Sequence, residues 1–236
     1  MAVERHTFST LQLNQSRLAD FTRIVTGPRR RAVRRLRFDI VLDAYGIGMR
    51  GLFETREEQE RNNEVFTEAI HTLFSRLSSW SPQDVIENGI ELILKAYSPS
   101  DPSRMEREAL KQRSSHAYRS LGGRDRDLFA QRFESSSLEI LTTDTTTSSQ
   151  QKQLPVISII TKLMIMDGGF CGDHIFRRVW PASAFLIASK LPRLFNIDFF
   201  LWDSEKKDLD LRKRARDGRD TFHTLSLCNG SVNSID

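Results

Sequence analysis

The sequence contains no apolar run of about eighteen residues, the minimum for a membrane-spanning helix, so we predict no association with a membrane. Its first residues, Met1 to His6, lack the apolar core of a secretory signal peptide. Only two cysteines are present, Cys171 and Cys228, and two cannot build a disulfide framework. Because free thiols fit a reducing compartment, we expect the protein in the cytoplasm or nucleus.

An excess of charge of one sign is also missing. The 35 basic and 31 acidic residues leave a net charge of only +4. A nucleic-acid-binding protein concentrates its positive charge on one face, so clustering is more informative than the total.

The chain alternates between strand-like and helix-like patterns. Apolar residues at every second position predict strands, and apolar residues three and four apart predict helices. The predicted strands are 7–13, 33–42, 90–96, a short one at 138–141, 161–166 and 197–202. The predicted helices are 18–25, one through Phe66, Ile70, Leu73, Phe74 and Leu77 with Asn62 or Asn63 near its start, 181–190, and a charged one at 204–222.

This alternation predicts an α/β fold in which irregular, leucine-rich-repeat-like units stack. Its two clearest copies are Val33-x-x-Leu36-x-Phe38 and Leu191-x-x-Leu194-x-x-Ile197-x-Phe199. A doubly wound sheet is the alternative. We expect the repeat-like domain to span 5–203 with a loop-rich polar insertion at 98–153, followed by the charged helix and a disordered tail at 223–236.

One glycine motif invites a cofactor interpretation. The segment Gly46-Ile47-Gly48-Met49-Arg50-Gly51 matches the dinucleotide-binding pattern G-x-G-x-x-G. The preceding strand, however, is polar on one face, and the glycines begin four residues beyond Leu42 instead of at its end. We therefore predict a loop and no cofactor.

Two other groups of reactive residue types are incomplete. Cys171 and His174 form half of a zinc site, which His223 and Cys228 could complete only from the tail. Ser114, Ser115 and His116, with Asp125 and Asp127, have the residue types of a hydrolase triad but no G-x-S-x-G elbow. We predict no metal site, no catalytic residues and no enzymatic activity.

Six arginines within nine residues form the strongest charge cluster. Arg29, Arg30, Arg31 and Arg34 make up a basic patch that continues into Arg35 and Arg37. Such density can bind nucleic acid or an acidic protein surface. Aromatic residues for base stacking are not interleaved, so nucleic acid is the alternative partner and a protein the leading one.

The polar faces of the strands are the predicted partner-binding surface. If the strands are parallel neighbours, Arg35, Arg37 and Asp39 align with Glu91, Ile93 and Lys95. Lys162, Phe200 and Trp202 then extend the same surface, and exposed aromatic residues beside arginine are typical interface anchors. If a helix covers this face, both aromatic residues are core instead.

Several segments together resemble filamentous-fungal F-box proteins that have a leucine-rich-repeat-like C-terminal region. These are Thr7–Leu13, Ser16–Phe21, Arg29–Leu36, Asn62–Ile70, Ser98–Asp101 and Leu191–Leu194. The resemblance implies a substrate receptor of a ubiquitin ligase, in which the F-box binds a Skp-type adaptor and the repeats recognise a target. Only six residues precede Thr7, without a Leu-Pro-x-Glu opening, so we carry over the repeat fold and protein binding but not adaptor binding.

Overall fold

Five parallel strands and three longer helices make up most of what the computed structural model describes, namely residues 7–50, 52–85, 88–101, 136–141, 153–166 and 176–199. The elements, in chain order, are β1 (Thr10–Asn14), α1 (Leu18–Ile24), β2 (Arg35–Val41), α2 (Arg56–Leu77), β3 (Ile90–Tyr97), β4 (Ile160–Ile165), α3 (Pro181–Ser189) and β5 (Asn196–Phe199). Short 3-10 turns occur at Gln15–Arg17, Gly27–Ala32, Ile47–Met49 and Pro82–Asp84.

The strands lie in the sheet in the same order as in the chain, β1-β2-β3-β4-β5, and each pairs in parallel with the next. The predicted α/β class is therefore confirmed. A doubly wound sheet reverses its strand order at a switch point, and the described order contains no reversal. The finer prediction of a leucine-rich-repeat stack stays a proposal.

One face of the sheet carries the core. Leu36, Phe38 and Ile40 of β2 are completely buried, and the matching side chains of β3 lie beside them. Residues of α1, α2 and α3 belong to the same apolar cluster, so the described helices pack on this face. Each such buried aliphatic or aromatic side chain contributes roughly 1.5–3 kcal/mol to folding.

Helix α2 begins earlier than the apolar spacing predicts. It starts at Arg56, because the Thr55 hydroxyl accepts the Glu58 backbone N–H and the Glu58 carboxylate accepts the Thr55 N–H. This reciprocal capping box satisfies two free donors of the first turn. The start near Asn62 or Asn63 is thus wrong: both asparagines are buried inside the helix.

The turn before β3 depends on a glycine. Gly89 has φ +66°, a conformation that side chains with a Cβ rarely adopt. A Cβ placed there would lie 2.3 Å from Cγ2 of Thr161, whose hydroxyl donates to the carbonyl of Asn88. Gly27 also has a positive φ, +50°, but with open space around it.

The sheet hydrogen-bonding beside β3 continues after β4 with residues from farther along the chain. The Met166 N–H donates to the Leu94 carbonyl, and the next bond of this ladder, to Ala96, comes from the N–H of Arg177. The predicted strand at 138–141 is reduced to a single parallel bridge between Leu138 and Val179. Residues 136–141 are held by the Asn63 and Ser183 side chains, so they connect α2 to α3.

The other predicted boundaries differ by a few residues or fall outside the described ranges. Helix α3 begins with Pro181 at its first position, as predicted. Most of the 98–153 insertion, the charged helix and the tail lie outside the described residues. Among the helices that are described, none has the length and apolarity to cross a bilayer.

Candidate functional site

The second face of the sheet carries three rows of aligned, mainly polar side chains, and we call it the polar face. Parallel pairing places residues of one row side by side on neighbouring strands, roughly 4.8 Å apart. The amino-end row is Thr10, Arg35, Glu91, Lys162 and Asn196; the middle row is Gln12, Arg37, Ile93, Met164 and Asp198; the carboxyl-end row is Asn14, Asp39 and Lys95. The register expected between Arg35–Asp39 and Glu91–Lys95 is the observed one.

The amino-end row is the open part of this face. Arg35 Nε donates to a Glu91 carboxylate oxygen at 2.5 Å, with 44% and 22% of the two side chains exposed. On the other side of Glu91, the exposed Lys162 places its ammonium 5.8 Å from the ring centre of Phe195. A carboxylate therefore lies between two cations on three adjacent strands.

The carboxyl-end row is less open than the amino-end row. Asp39 is only 9% exposed and accepts a hydrogen bond of 2.6 Å from the Gln12 amide. Lys95 is half-buried, with its ammonium 4.9 Å from the ring centre of Phe176. Asp39 and Lys95 therefore both contact their own chain, and their role in binding a partner stays a prediction.

A small apolar cluster explains why the face closes towards its carboxyl end. Ile93, Met166 and Phe176 are buried together, with Met164 and Tyr97 packed around them. Burial raises the pKa of the Tyr97 hydroxyl, and the negative charge of Asp39 raises it further. The Nε atom of Arg37, in the middle row, is buried without a hydrogen-bond partner. One carboxylate oxygen of Asp39, in the carboxyl-end row, is also buried without one.

The two aromatic residues predicted as interface anchors, Phe200 and Trp202, lie outside the described residues. Their role stays a prediction. In their place the structure exposes Phe195, which is 69% accessible and which the sequence reasoning did not single out. The available signal in the sequence was its position just before the predicted strand at 197–202.

The basic patch is divided into engaged and exposed arginines. Arg30 forms an ion pair of 3.1 Å with Asp84 and lies over the Trp80 ring. Arg29 lies over the Phe8 ring and donates to a backbone carbonyl. Two of the four predicted patch residues thus bind other parts of their own chain.

The remaining two patch residues, Arg31 and Arg34, are exposed and form no ion pair with any residue of the described ranges. The N–H of Ser81, followed by the guanidinium of Arg30, keeps the pKa of Asp84 below its ordinary value. Because Asp84 is in turn bound to Arg30, the charge that the patch can offer to a partner is concentrated at Arg31 and Arg34.

A buried charged network lies at the carboxyl ends of β2 and β3, and the sequence reasoning missed it. Arg177, 1% exposed, binds Asp101 through Nε at 3.2 Å and Nη2 at 3.1 Å. Its third nitrogen, Nη1, pairs with Glu54, and the side chains of Asp101 and Glu54 are 0% and 3% exposed. A single guanidinium therefore joins the carboxylate of Glu54, which precedes α2, to that of Asp101, which follows β3.

Neutral donors also bind the two carboxylates of this Arg177 network. The Tyr45 hydroxyl and the Ser98 N–H donate to Asp101 at 2.7 and 2.8 Å, and the Asn62 amide donates to Glu54 at 3.1 Å. Burial lowers the pKa of the Arg177 guanidinium, but the two carboxylates more than offset this and raise it overall. Because one Glu54 oxygen is buried without a partner, the network is incompletely satisfied at that atom.

The glycine motif lies close to this network. Gly46 precedes a 3-10 turn at Ile47–Met49, Gly48 lies within that turn, and Gly51 lies outside the described residues. The Tyr45 N–H and the Arg50 guanidinium bind the side chain and carbonyl of Ser100, which ties this loop to the one after β3.

The other sequence candidates cannot be placed. The Cys171–His174 segment, His223, Cys228 and the Ser114–Asp127 group all lie outside the described residues. Within the described ranges, no three His, Cys, Asp or Glu side chains form a group able to hold a metal ion.

No protein-family model matches the chain, and comparison with the curated proteins and with the solved structures finds no match either. The resemblance to F-box proteins therefore stays a prediction, and function has to be argued from the geometry of the chain itself.

Proposed function

We propose that this chain is a non-enzymatic protein-interaction module and that the amino-end row of the polar face is its binding surface. The observation that carries the proposal is the exposure of this row on consecutive parallel strands. Arg35, Glu91 and Lys162 project from backbone that the sheet hydrogen bonds hold in place. Because this backbone is already ordered, a partner that binds here loses only side-chain and not backbone conformational entropy of this chain, which favours recognition.

The one-sided covering of the sheet supports the same proposal. The described helices pack on the apolar face, so within the described ranges only the Ile93 cluster covers part of the polar face. Stacked strand-helix units commonly use such a sheet face to bind proteins. The resemblance to the recognition region of F-box ubiquitin-ligase receptors agrees with this role. Binding of a Skp-type adaptor is not part of the proposal.

Affinity capture with three forms of the full chain tests the binding surface. The wild type is compared with Arg35→Glu/Lys162→Glu and with Arg61→Glu/Arg76→Glu, which makes the same charge change on exposed positions of α2. Circular dichroism and urea unfolding first verify that all three fold alike. We expect quantitative mass spectrometry to find one or more proteins lost from the first double variant and retained by the second.

Equal recovery of every bound protein by both double variants would refute the amino-end row as the surface. Nucleic-acid binding through Arg31 and Arg34 is the competing result. In that case nuclease treatment removes the bound material, and log affinity falls linearly and steeply with log salt concentration.

A further inference from the structure

We infer that the segment bound by the amino-end row is an acidic stretch of protein with an apolar side chain that packs against Phe195. This inference rests on the proposed function and adds the chemistry of the partner. Its basis is the charge that the row leaves uncompensated and one exposed aromatic ring beside that charge.

Positive charge dominates this end of the sheet. Glu91 is the single acidic member of the row, and it is already bound to Arg35. Lys162 and the neighbouring Arg34 are exposed, and neither forms an ion pair with a residue in the described part of the chain. An acidic partner would supply the missing counter-charges and would be drawn to this end of the sheet.

The spacing of the cations suits an extended peptide. Arg35 and Lys162 lie two strands apart, with Glu91 between them, so their Cα atoms are separated by roughly 10 Å. In an extended chain that rises about 3.3 Å per residue, side chains on the same face are two or four positions apart, so two such carboxylates lie roughly 7 or 13 Å apart and bracket this distance. A peptide that crosses the strands could therefore place one acidic side chain near each cation.

Phe195 supplies an apolar anchor at the end of the row. A singly exposed apolar side chain is common on protein surfaces and by itself indicates nothing. Phe195 differs because its N–H donates to the Thr161 carbonyl at 3.1 Å, which fixes its backbone to β4. With Lys162 beside its ring, it offers apolar area and positive charge together, a combination typical of binding hot spots.

A protein segment fits this surface better than a nucleic acid does. Glu91 lies between the two cations, and the exposed Asp198 lies in the next row. A uniformly charged phosphate backbone would meet both carboxylates with repulsion, whereas a peptide can place neutral side chains opposite them.

Selection from a displayed library of random dodecapeptides against the full chain tests the inference. We expect the selected peptides to be enriched in Asp and Glu and to contain an apolar residue. Against a synthetic selected peptide, Lys162→Glu should lower affinity by about tenfold or more, and Phe195→Ser by about thirtyfold. Phe195→Tyr should bind almost as the wild type does, and Arg61→Glu is the matched charge control.

Charge exchange gives the strictest criterion. A peptide in which the responsible Glu is replaced by Lys should recover binding to Lys162→Glu. Selected peptides without acidic enrichment that still require Arg35 and Lys162 overturn this inference but leave the proposed function intact. If no peptide is selected, the inference is overturned. If the selected peptides are insensitive to every change on the polar face, both the inference and the proposed function are contradicted. Displacement of the peptide by a single-stranded oligoribonucleotide with steep salt dependence overturns it in favour of nucleic acid.

Discussion

Replacing Arg177 by methionine should be among the most destabilising single changes in the described part of the chain. Methionine keeps much of the apolar volume but removes all three guanidinium contacts to Asp101 and Glu54. Both carboxylates would then stay buried without their cation. Breaking a buried ion pair in this way costs about 3–5 kcal/mol, because the remaining charge has lost its solvation and its partner.

Neutral hydrogen bonds that remain in the variant keep the expected loss of unfolding free energy within about 3–5 kcal/mol. Asp101 keeps the Tyr45 hydroxyl and the Ser98 N–H, and Glu54 keeps the Asn62 amide. Arg177→Lys should fall between the methionine variant and the wild type, since an ammonium group cannot reproduce the fork that binds two carboxylates. With a urea m-value of about 2–3 kcal/mol/M, Arg177→Met should lower the unfolding midpoint by roughly 1–2.5 M.

Urea unfolding followed by tryptophan fluorescence measures this loss, with Arg56→Met as the control. Arg56 also forms an ion pair, with Glu60, but its side chain is 87% exposed, so we expect no measurable change. Equal midpoints for Arg177→Met and Arg56→Met would refute the reasoning. The triple variant Glu54→Gln/Asp101→Asn/Arg177→Met should recover part of the loss, because it leaves no unpaired charge.

Four further substitutions test three other features through the free energy of unfolding and, where stated, through amide exchange or acid titration. Gly89→Ala should cost about 2–4 kcal/mol from backbone strain plus the clash with Thr161, whereas Gly27→Ala meets only strain and should cost about 1–2 kcal/mol; equal costs would contradict the proposed close contact. Thr55→Ala removes the helix cap and should cost about 1 kcal/mol, with faster amide exchange confined to the first turn of α2, and unchanged exchange there would argue against the cap. Because the folded-state pKa of Asp84 lies below its ordinary value of 3.8, its stabilising contribution is present above that value and is lost as the pH falls through the folded-state pKa. Asp84→Asn should therefore lose less stability on acidification than the wild type, and parallel acid titration curves for the two would oppose this assignment.

The sheet was predictable because its patterns are local. Apolar core residues at every second position, in Leu36–Ile40 and in Ile90–Leu94, reflect the two-residue period of strands, which the sequence displays directly. The register followed once the strands were taken as parallel neighbours. The start of α2 was missed although Thr55 and Glu58 form a recognisable capping box, because the apolar spacing begins only at Phe66 and Asn62 or Asn63 is a nearer polar residue of the capping type.

The candidate surface was only partly predictable. Arg35 and Lys162 stand in the open row, but Lys95 lies against Phe176 and Asp39 is bound by Gln12, and both of these partners are distant in the sequence. No local pattern distinguishes these positions, since all of them are polar residues on one face of a strand.

The Arg177 network was hardest to find because its members are far apart in the sequence. Asp101 and Glu54 lie 76 and 123 positions from Arg177. Asp101 had one available signal, its place after a strand end, where polar residues of parallel sheets gather. Arg177 had none, because its neighbour Arg178 is an equally charged residue in the same short segment.

The consecutive strand order has an evolutionary consequence. The described strands pair only with strands that are adjacent to them in the chain. Duplicating one strand-helix unit would therefore add one strand to the sheet without breaking the pairing of distant segments. The surface would then lengthen by one strand and gain one more side chain in each row. Descendants of this chain could therefore change the length of the peptide they recognise by gene duplication alone, while the individual contact positions are kept.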